Sequence, residues 1–308
     1  MITTVTLNPM LDKTVHISRL ERGTIHRASR MDLVVGGKGV NVSREARMLG
    51  ADTIATGFFG GPVGDFLEKL LREEGIAHDF IRVNGMTREG ITYLEESGTW
   101  TAVFEPPHDV TADEADLLVA RCSRLLEESS WIVCSGSSPA PAADEVFAAI
   151  IRRARELGVP SVLDSYGEVF RKALRAGPTL VQCNRHEAAK SLELAVESER
   201  EIRLALETML AHGAAYAVLT DGAGPVYASI GEVAWKILPP RVVTVNPTGS
   251  GDTMVAATLT RFLEDAPFEE ALQFGVAAGA ANAARWDVAS VPESAIAHLL
   301  QKVVLQRL

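Results

Sequence analysis

The sequence predicts a three-layer α/β/α fold, in which helices cover both faces of a mostly parallel β-sheet and a small second β-sheet forms a lid. Short β-like runs alternate with amphipathic helical stretches along most of the chain, which is typical of parallel sheets flanked by helices. Two segments break this alternation with β patterns and no convincing helix. Because no linker rich in Pro, Ser or charge divides the sequence, we expect residues 1–308 to form one domain.

The strand–helix units follow one another in order. They are 54–58 before 62–74, 131–134 before 142–157, and 160–164 before 167–174, after which 215–219 opens a β-rich piece that reaches 245. Two helix starts, Thr111 with Glu114 and Ser198 with Glu201, fit the capping box, in which each side chain satisfies a free amide of the other residue. Pro292 is placed to open the last helix.

The lid is predicted from the two segments that interrupt the alternation, about 11–35 and 88–105. Within the second segment, 90–94 and 99–104 flank a turn-like stretch, which is the pattern of a β-hairpin. A hairpin inserted between α/β units lies off the main sheet. We expect it to hinge over the carboxyl edge of that sheet, where ligands bind in open α/β folds.

The composition is that of an acidic globular protein. The 308 residues include 30 Lys and Arg against 40 Asp and Glu, so the formal net charge is −10, and 47% of residues are hydrophobic. This balance argues against disorder and against general nucleic-acid binding. The cysteines Cys122, Cys134 and Cys183 show no C-x-x-C spacing, and neither a signal peptide nor a membrane span is apparent. We therefore expect a cytoplasmic protein with buried thiols that binds neither nucleic acid nor membrane.

The strongest chemical signal is the sequence NPTGSGD at 246–252, which precedes a helix-compatible run. Its two glycines let the backbone turn tightly so that several N–H groups converge, and the helix dipole adds positive potential, which together make an anion site. A carboxylate is unusual there, so Asp252 favours a role as the general base for a hydroxyl that attacks phosphorus. The alternative is that Asp252 caps the helix, and the pattern alone leaves both interpretations open.

The second signal is VGGKGVN at 35–41, before a helical stretch at 42–49. Lys38 supplies a mobile positive charge, and Asn41 offers both hydrogen-bond donors and acceptors. The segment is neither a Walker A loop nor a dinucleotide fingerprint. Taken alone, it is more simply interpreted as a glycine-rich β-to-α turn with a solvated lysine.

Together, the two motifs resemble the signatures of the ribokinase-like superfamily, and specifically of its phosphofructokinase-B branch. Five further pieces follow in that branch's order: TLNPMLD at 6–12, TRE at 87–89, SGS at 135–137, DSYGE at 164–168 and NRHE at 184–187. The resemblance spans residues 1 to about 290. Seven ordered matches are far more specific than any one of them, and they imply a Rossmann-like, ribokinase-like fold and an ATP- and Mg²⁺-dependent sugar kinase.

The resemblance also implies roles for individual residues. Asp252 would be the general base, and the amides of Gly249, Ser250 and Gly251 would stabilise the transferring phosphoryl group. The substrate-binding residues would be Asp12, Arg27, Gly37, Lys38, Asn41, Arg88 and Ser137. The nucleotide-binding residues would be Asn184, Thr220, Gly222 and Asn282, and Asn184 and Glu187 would act on Mg²⁺ through water.

Several positions in the ligand pockets depart from the family pattern. QCN at 182–184 stands where the branch often has K-P-N, Pro225 stands where a glycine is expected in the 221–225 turn, and Tyr166 replaces a small residue. These changes concern nucleotide affinity and sugar identity, and they leave the core chemistry intact.

The cations Lys38, Arg88 and Arg27 favour a substrate that already carries a phosphate, because a neutral sugar does not need converging positive charges. The leading hypothesis is a 1-phosphofructokinase, which converts fructose 1-phosphate to fructose 1,6-bisphosphate. The alternatives are a tagatose-6-phosphate kinase, a kinase of an unphosphorylated sugar or nucleoside, and a catalytically silent sugar-phosphate sensor.

The apolar residues of the lid strands also indicate a second copy of this chain as a partner. Apolar strand residues such as Tyr93, Trp100 and Phe104 would lie on its outer face and be buried in a lid-to-lid homodimer, unless they face the substrate cleft instead.

Overall fold

Fourteen strands form two β-sheets in the computed structural model, which describes residues 1–308. In chain order the strands are β1 (Ile2–Thr6), β2 (Met10–Ile17), β3 (Arg30–Gly36), β4 (Thr53–Gly60), β5 (Ile81–Val83), β6 (Arg88–Glu95), β7 (Trp100–Phe104), β8 (Trp131–Ser135), β9 (Ser161–Asp164), β10 (Leu180–Asn184), β11 (Tyr216–Thr220), β12 (Val226–Ile230), β13 (Val233–Leu238) and β14 (Val304–Arg307).

Ten helices accompany them. They are α1 (Lys38–Met48), α2 (Gly61–Glu73), α3 (Ala112–Leu125), α4 (Val146–Glu156), α5 (Gly167–Leu174), α6 (Arg185–Leu192), α7 (Glu199–Ala211), α8 (Ser250–Leu263), α9 (Phe268–Ala283) and α10 (Glu293–Leu300). No helix of the protein is both long and apolar enough to cross a membrane.

The large sheet has ten strands in the order β14-β13-β12-β11-β10-β9-β8-β1-β4-β5. The seven strands from β11 to β5 pair in parallel, and β12, β13 and β14 extend one edge in antiparallel fashion. Helices α3 to α7 pack on one face, while α1, α2, α8, α9 and α10 pack on the other. The predicted α/β/α architecture with a mostly parallel sheet is confirmed.

The sequence missed the last strand. Its prediction ended with the helix after Pro292, whereas the structure adds β14, which pairs with β13 from Trp235 opposite Arg307 to Leu238 opposite Val304. Four residues are too short for a periodic pattern to stand out. The β-rich piece that was expected to reach 245 has its last strand end at Leu238.

Helix α1 begins four residues earlier than the sequence suggested. Gly37 is the N-cap, and the side chain of Thr6 accepts a hydrogen bond from the amide of Val40 at 3.1 Å. Gly39 is required inside the helix, because a Cβ there would lie 2.5 Å from Thr6 Oγ1. Lys38 and Asn41 therefore stand on a helix packed against β1, not on a loop.

The small sheet has the strand order β3-β2-β6-β7 and contains the predicted hairpin, with Leu94 opposite Trp100 and Gly90 opposite Phe104. Asp12 pairs with Gly90, so its side chain lies on the same face as those of Trp100 and Phe104. Tyr93 lies on the opposite face. The three apolar residues assigned to one outer face therefore divide between both faces, and Trp100 and Phe104 share the face of Asp12.

A buried carboxyl group anchors α1 to the segment between α9 and α10. Glu45 is fully buried, and its Oε2 accepts a hydrogen bond from the amide of Val291 at 2.9 Å, while its Oε1 has no partner. Burial raises the pKa of Glu45 to about 7, against the smaller opposing effects of the Val291 amide and Arg285. The helix that carries Lys38 and Asn41 is thus tied to the 285–291 segment.

This raised pKa predicts a pH-dependent effect of Glu45→Gln. The folded state binds the proton more tightly than the unfolded state, so the stability that Glu45 contributes falls as pH rises from about 4.5 through about 7. At pH 8 we expect Glu45→Gln to raise the unfolding free energy by about 1–3 kcal/mol, with a smaller effect at pH 5. Urea unfolding at both pH values measures this, with exposed Glu127→Gln as the control; equal effects at both pH values would contradict it.

Candidate active site

Polar side chains converge at the carboxyl edge of the large sheet. Asp164 ends β9, Asn184 ends β10 and Thr220 ends β11, and Asn184 and Thr220 are direct neighbours in the parallel register. Because the carboxyl ends of parallel strands meet at one edge, residues far apart in sequence come together there.

The first turn of α8 reaches this edge and presents free backbone amides. Gly249 is the N-cap, with a left-handed φ of 76°, and a Cβ there would lie 2.4 Å from Val288 Cγ1, so only glycine fits. The amides of Gly249, Gly251 and Asp252 make no hydrogen bond within the protein. The amide of Ser250, which the sequence also predicted for this role, donates to Pro247 O at 3.2 Å. Three donors at a helix N-terminus form an anion site.

Two amide side chains hold this turn in place. Asn282 is fully buried and donates to Thr248 O at 2.8 Å and to Ser250 Oγ at 3.1 Å. Gln182 donates to Gly251 O at 3.0 Å. The sequence assigned Asn282 to nucleotide binding, but the structure places it beneath the turn, where it shapes the backbone. Gln182, which replaces the lysine of the family pattern, braces the same turn.

Asp252 lies inside this turn, with only 5% of its surface exposed. Its Oδ2 accepts a hydrogen bond from Asn41 Nδ2 at 2.8 Å. Burial and, secondly, the charge of Asp164 raise the pKa of Asp252 to about 7, although Lys38 and Asn41 act in the opposite direction. Its side chain makes no helix-capping hydrogen bond, so the capping interpretation left open by the sequence is not realised.

Lys38 lies between carboxylates. Its Nζ is 2.8 Å from Asp164 Oδ1 and 3.3 Å from Glu187 Oε1. The Asp164 side chain is 3% exposed, and that of Lys38 is 30% exposed. Although burial disfavours the charged ammonium, the charges of Asp164, Glu187 and Asp252 outweigh burial and raise the pKa of Lys38. The ammonium that the sequence assigned to a sugar phosphate therefore already has two partners.

A second group of polar side chains lies where β6 begins. Arg88 Nη2 donates to the backbone oxygen of Asn8 at 3.3 Å, and Asn8 Nδ2 donates to Ser137 Oγ at 3.1 Å. Arg88 Nε and Asn8 Oδ1 are buried without a hydrogen-bond partner in the protein. The predicted pair Arg88 and Ser137 is thus brought together through Asn8, a residue that the sequence did not single out.

Arg27 is not part of this group. It is exposed in the connection between β2 and β3 and makes no ion pair or hydrogen bond. Of the three cations expected at the substrate phosphate, only Arg88 is partly buried without a carboxylate partner.

The face of the small sheet that carries Asp12 borders a cleft of about 520 Å³. Its walls include Asp12 and Trp100 from the small sheet, Thr248 from the segment before α8 and Trp286 from the segment after α9. Asp12 Oδ1 is buried without a partner, and burial raises the pKa of this carboxyl. The cleft therefore extends from the Asp12 carboxyl group, which is available to a ligand, toward the turn that holds Asp252.

A model of the pfkB family carbohydrate kinases matches residues 5–293. The chain belongs to this family. A tagatose-6-phosphate kinase from Staphylococcus epidermidis is 30% identical over 286 residues, which are 92% of each chain.

Solved structures of pfkB relatives share the whole fold. A chain from Thermotoga maritima described as a possible 1-phosphofructokinase superposes with a TM-score of 0.90 at 27% identity, covering 100% of this chain and 99% of that one. The tetrameric inhibited form of phosphofructokinase-2 from Escherichia coli superposes with a TM-score of 0.90 at 26% identity, covering 98% of each. This pfkB member is therefore a carbohydrate kinase with a ribokinase-like fold.

In this pfkB chain the motif at 184–187 also has a structural role. Asn184 and Glu187 form a capping box at the start of α6, in which each side chain accepts a hydrogen bond from the other residue's amide. No group of three or more His, Cys, Asp or Glu could hold a metal ion directly. Asn184 and Glu187 lie where β10 ends and α6 begins, at the carboxyl edge of the large sheet. Two such oxygen ligands, one of them a carboxylate, fit an ion such as Mg²⁺ that keeps most of its water and also binds substrate phosphates.

The remaining predicted residues border the same edge. Gly37 caps α1 beside Thr6, and Gly222 lies in the turn after β11 with a φ of 54°. Asp221, next to it, accepts a hydrogen bond from Arg185 Nη1 at 2.6 Å. The turn that departs from the family pattern is therefore tied to α6.

Asp164 belongs to the DSYGE motif at 164–168, but the sequence assigned this residue no role. Its place at the end of a fully buried strand was the signal that could have found it, because a carboxylate there must have a charged partner.

Proposed function

We propose that this pfkB kinase transfers the γ-phosphoryl group of ATP to a primary hydroxyl of a ketohexose monophosphate. The observation that carries the proposal is the buried Asp252 beside three free amides at the start of α8. A carboxylate with a pKa of about 7 can take a hydroxyl proton at neutral pH, and the adjacent amides can stabilise charge on the transferring phosphoryl group.

The other side chains fit the same reaction. Asn41 orients the Asp252 carboxylate through its 2.8 Å hydrogen bond, and Asp12 is available to sugar hydroxyls across the cleft. Arg88, with Ser137 near it, supplies a positive charge for the phosphate already on the sugar. The resulting geometry would hold the acceptor hydroxyl close to Asp252 and the substrate phosphate at the opposite end.

Mg²⁺ would be held by Glu187 and Asn184 through water, and would neutralise charge on the ATP phosphates. The charges around Lys38 support this assignment. Three carboxylates, Asp164, Glu187 and Asp252, surround one ammonium, so the site has an excess of negative charge that favours a divalent cation. Thr220 and Gly222, on the neighbouring strand end and turn, would contact the nucleotide.

Fructose 1-phosphate is the first candidate substrate, with fructose 1,6-bisphosphate as product. Tagatose 6-phosphate is the second, and the curated relative from Staphylococcus epidermidis favours it.

A coupled assay with Mg·ATP on these two sugars, fructose 6-phosphate and ribose tests the proposal. We expect a ketohexose monophosphate to give the highest kcat/KM. Preferred turnover of ribose would overturn the choice of a phosphorylated substrate, and nucleotide binding without any turnover would favour the silent sensor.

The raised pKa of Asp252 predicts the acid limb of the pH profile. The general base must be unprotonated, and below its pKa of about 7 the protonated fraction grows. We expect kcat/KM to fall about tenfold per pH unit below about 7. The profile of kcat/KM at constant ionic strength measures this, and a limb near pH 4 would contradict it.

We further propose a cytoplasmic homodimer that forms through the small sheet. The face opposite the cleft carries Val15 between Met31 and Tyr93, with Val103 opposite Ile91 in the next row. Of these residues, Val103 is 61% exposed and Met31 is 54% exposed. Burial of such residues stabilises a dimer.

Light scattering should give twice the monomer mass, and Val103→Lys should shift the protein toward monomer. Leu204→Lys, an exposed position on α7, is the control; a monomeric parent protein would overturn the proposal.

A further inference from the structure

The phosphate end of the proposed substrate site contains a buried histidine to which the sequence assigned no role. His108 lies in the segment between β7 and α3 and is 5% exposed. The inference that follows rests on the proposed sugar-phosphate substrate and concerns how Arg88 is prepared for it.

Backbone contacts place the His108 segment directly against the Arg88 segment. The amide of Glu105 donates to Glu89 O at 3.0 Å, which extends the pairing of β6 and β7 beyond the hairpin. A Cβ at Gly85 would lie 2.3 Å from Asp109 O, so the two backbones touch. The segment that begins β6 is therefore packed between its own strand partner and the residues around His108.

The acidic residue of the α3 capping box closes this contact. Glu114 Oε1 accepts a hydrogen bond from the amide of Asn84 at 2.8 Å, and Glu114 Oε2 accepts one from the amide of Thr111 at 2.8 Å. Both carboxylate oxygens of Glu114 thus have backbone partners, and the fixed carboxylate is near enough to His108 for each charge to affect the pKa of the other group.

His108 and Arg88 both have unused hydrogen-bonding atoms. Neither ring nitrogen of His108 has a partner in the protein, and neither does Arg88 Nε. The one hydrogen bond that the Arg88 side chain makes is long, at 3.3 Å to Asn8 O. Buried polar atoms are normally paired, so a neighbouring histidine and arginine with three unpaired nitrogens point to an arrangement that is completed when a ligand binds.

We propose that His108 positions Arg88 for the phosphate of the sugar substrate, by accepting a hydrogen bond from the guanidinium when the phosphate draws it into place. A neutral imidazole has a lone pair to offer and no negative charge. It can therefore orient the guanidinium and leave its positive charge for the phosphate, whereas a carboxylate partner would neutralise it.

The surroundings keep the imidazole neutral. Burial and the charge of Arg88 lower the pKa of His108, and they outweigh the carboxylates of Glu114 and Asp109, which act in the opposite direction. Burial lowers the pKa of the Arg88 guanidinium, and the smaller effect of Tyr166 acts in the opposite direction. Since both ring nitrogens of His108 are buried, the residue acts through Arg88 and is a positioning residue, not a catalytic one.

The test compares His108→Leu with His108→Gln in the full-length enzyme. For His108→Leu we expect the KM for the sugar phosphate to rise about tenfold, with kcat within about twofold and an unchanged KM for ATP. His108→Gln, which keeps a hydrogen-bond acceptor, should have a KM for the sugar phosphate much closer to that of the parent enzyme. In an enzyme that already carries Arg88→Lys, His108→Leu should raise the KM for the sugar phosphate little further, because the two residues act as one unit.

Thermal unfolding separates positioning from a structural role. Without ligand, His108→Leu should have a Tm equal to or above that of the parent protein, because an apolar side chain replaces two unpaired buried nitrogens. Inorganic phosphate should raise the Tm of the parent protein and of His108→Gln more than that of His108→Leu. Equal phosphate effects, or a fall in kcat with an unchanged KM, would overturn the proposal. If the parent enzyme phosphorylates no sugar phosphate, the proposed function fails, whereas the phosphate-dependent Tm still decides the role of His108.

Discussion

Asp252→Asn is expected to lower kcat by about 10²–10⁴-fold, the range associated with loss of a general base. The substitution keeps the shape of the residue and the hydrogen bond from Asn41, since the amide oxygen can accept it as Oδ2 does at 2.8 Å. An amide cannot take the proton of the acceptor hydroxyl at neutral pH. The Michaelis constants for sugar phosphate and ATP should stay within a few-fold, because the cleft is unchanged.

Steady-state kinetics on the substrate identified by the assay panel measure this effect. Asp116→Asn, the same change at an exposed position of α3, serves as the control and should behave as the parent enzyme. Near-parental turnover of Asp252→Asn would contradict the general-base role. A matching loss in both variants would point to misfolding or poor preparation.

Lys38→Met is expected to affect stability and pH dependence more than the binding of a sugar phosphate. Removing the ammonium leaves Asp164 and Glu187 without their cation in a largely buried place. We expect the unfolding free energy to fall by about 3 kcal/mol, the low end for breaking a buried ion pair because part of the Lys38 side chain is exposed. Urea unfolding at pH 7.5 measures it, with exposed Lys69→Met as the control.

The same variant should move the acid limb of the pH profile to higher pH. Lys38 lowers the pKa of Asp252, so its removal lets that pKa rise above about 7. The base then needs a higher pH to lose its proton, and kcat/KM at pH 7 should fall while activity recovers toward pH 9. A raised KM for the sugar phosphate, with unchanged stability and pH profile, would instead restore Lys38 to the phosphate-binding role that the sequence suggested.

The active-site turn is where local sequence was most informative. NPTGSGD indicated a backbone anion site before a helix, and the structure has Gly249 as the N-cap of α8 with free amides around it. This worked because glycine spacing and the following helical run are local properties that backbone sterics decide. What the pattern could not supply was the support from Asn282 and Gln182, whose side chains come from other elements.

The cation assignments show the limit of pattern reasoning. In the sequence, Lys38, Arg88 and Arg27 are three cations whose charge partners cannot be identified. Tertiary structure separates them: Lys38 pairs with Asp164 and Glu187, Arg88 is half-buried without a carboxylate, and Arg27 is exposed. Charge partners come from distant strands and helices, and no local pattern encodes them.

The sequence by itself determined the layered α/β/α fold, the pfkB family membership and the identity of the residues around the turn at 249–252. Those features follow from hydrophobic periodicity, glycine positions and ordered motifs, all of which are written along the chain. Only the tertiary structure decided which face of the small sheet carries Trp100 and Phe104, which cation remains for a phosphate, and that the segment of His108 packs against the start of β6. These depend on strand register and on contacts between segments distant in sequence, where burial and neighbouring charge fix what each side chain can do.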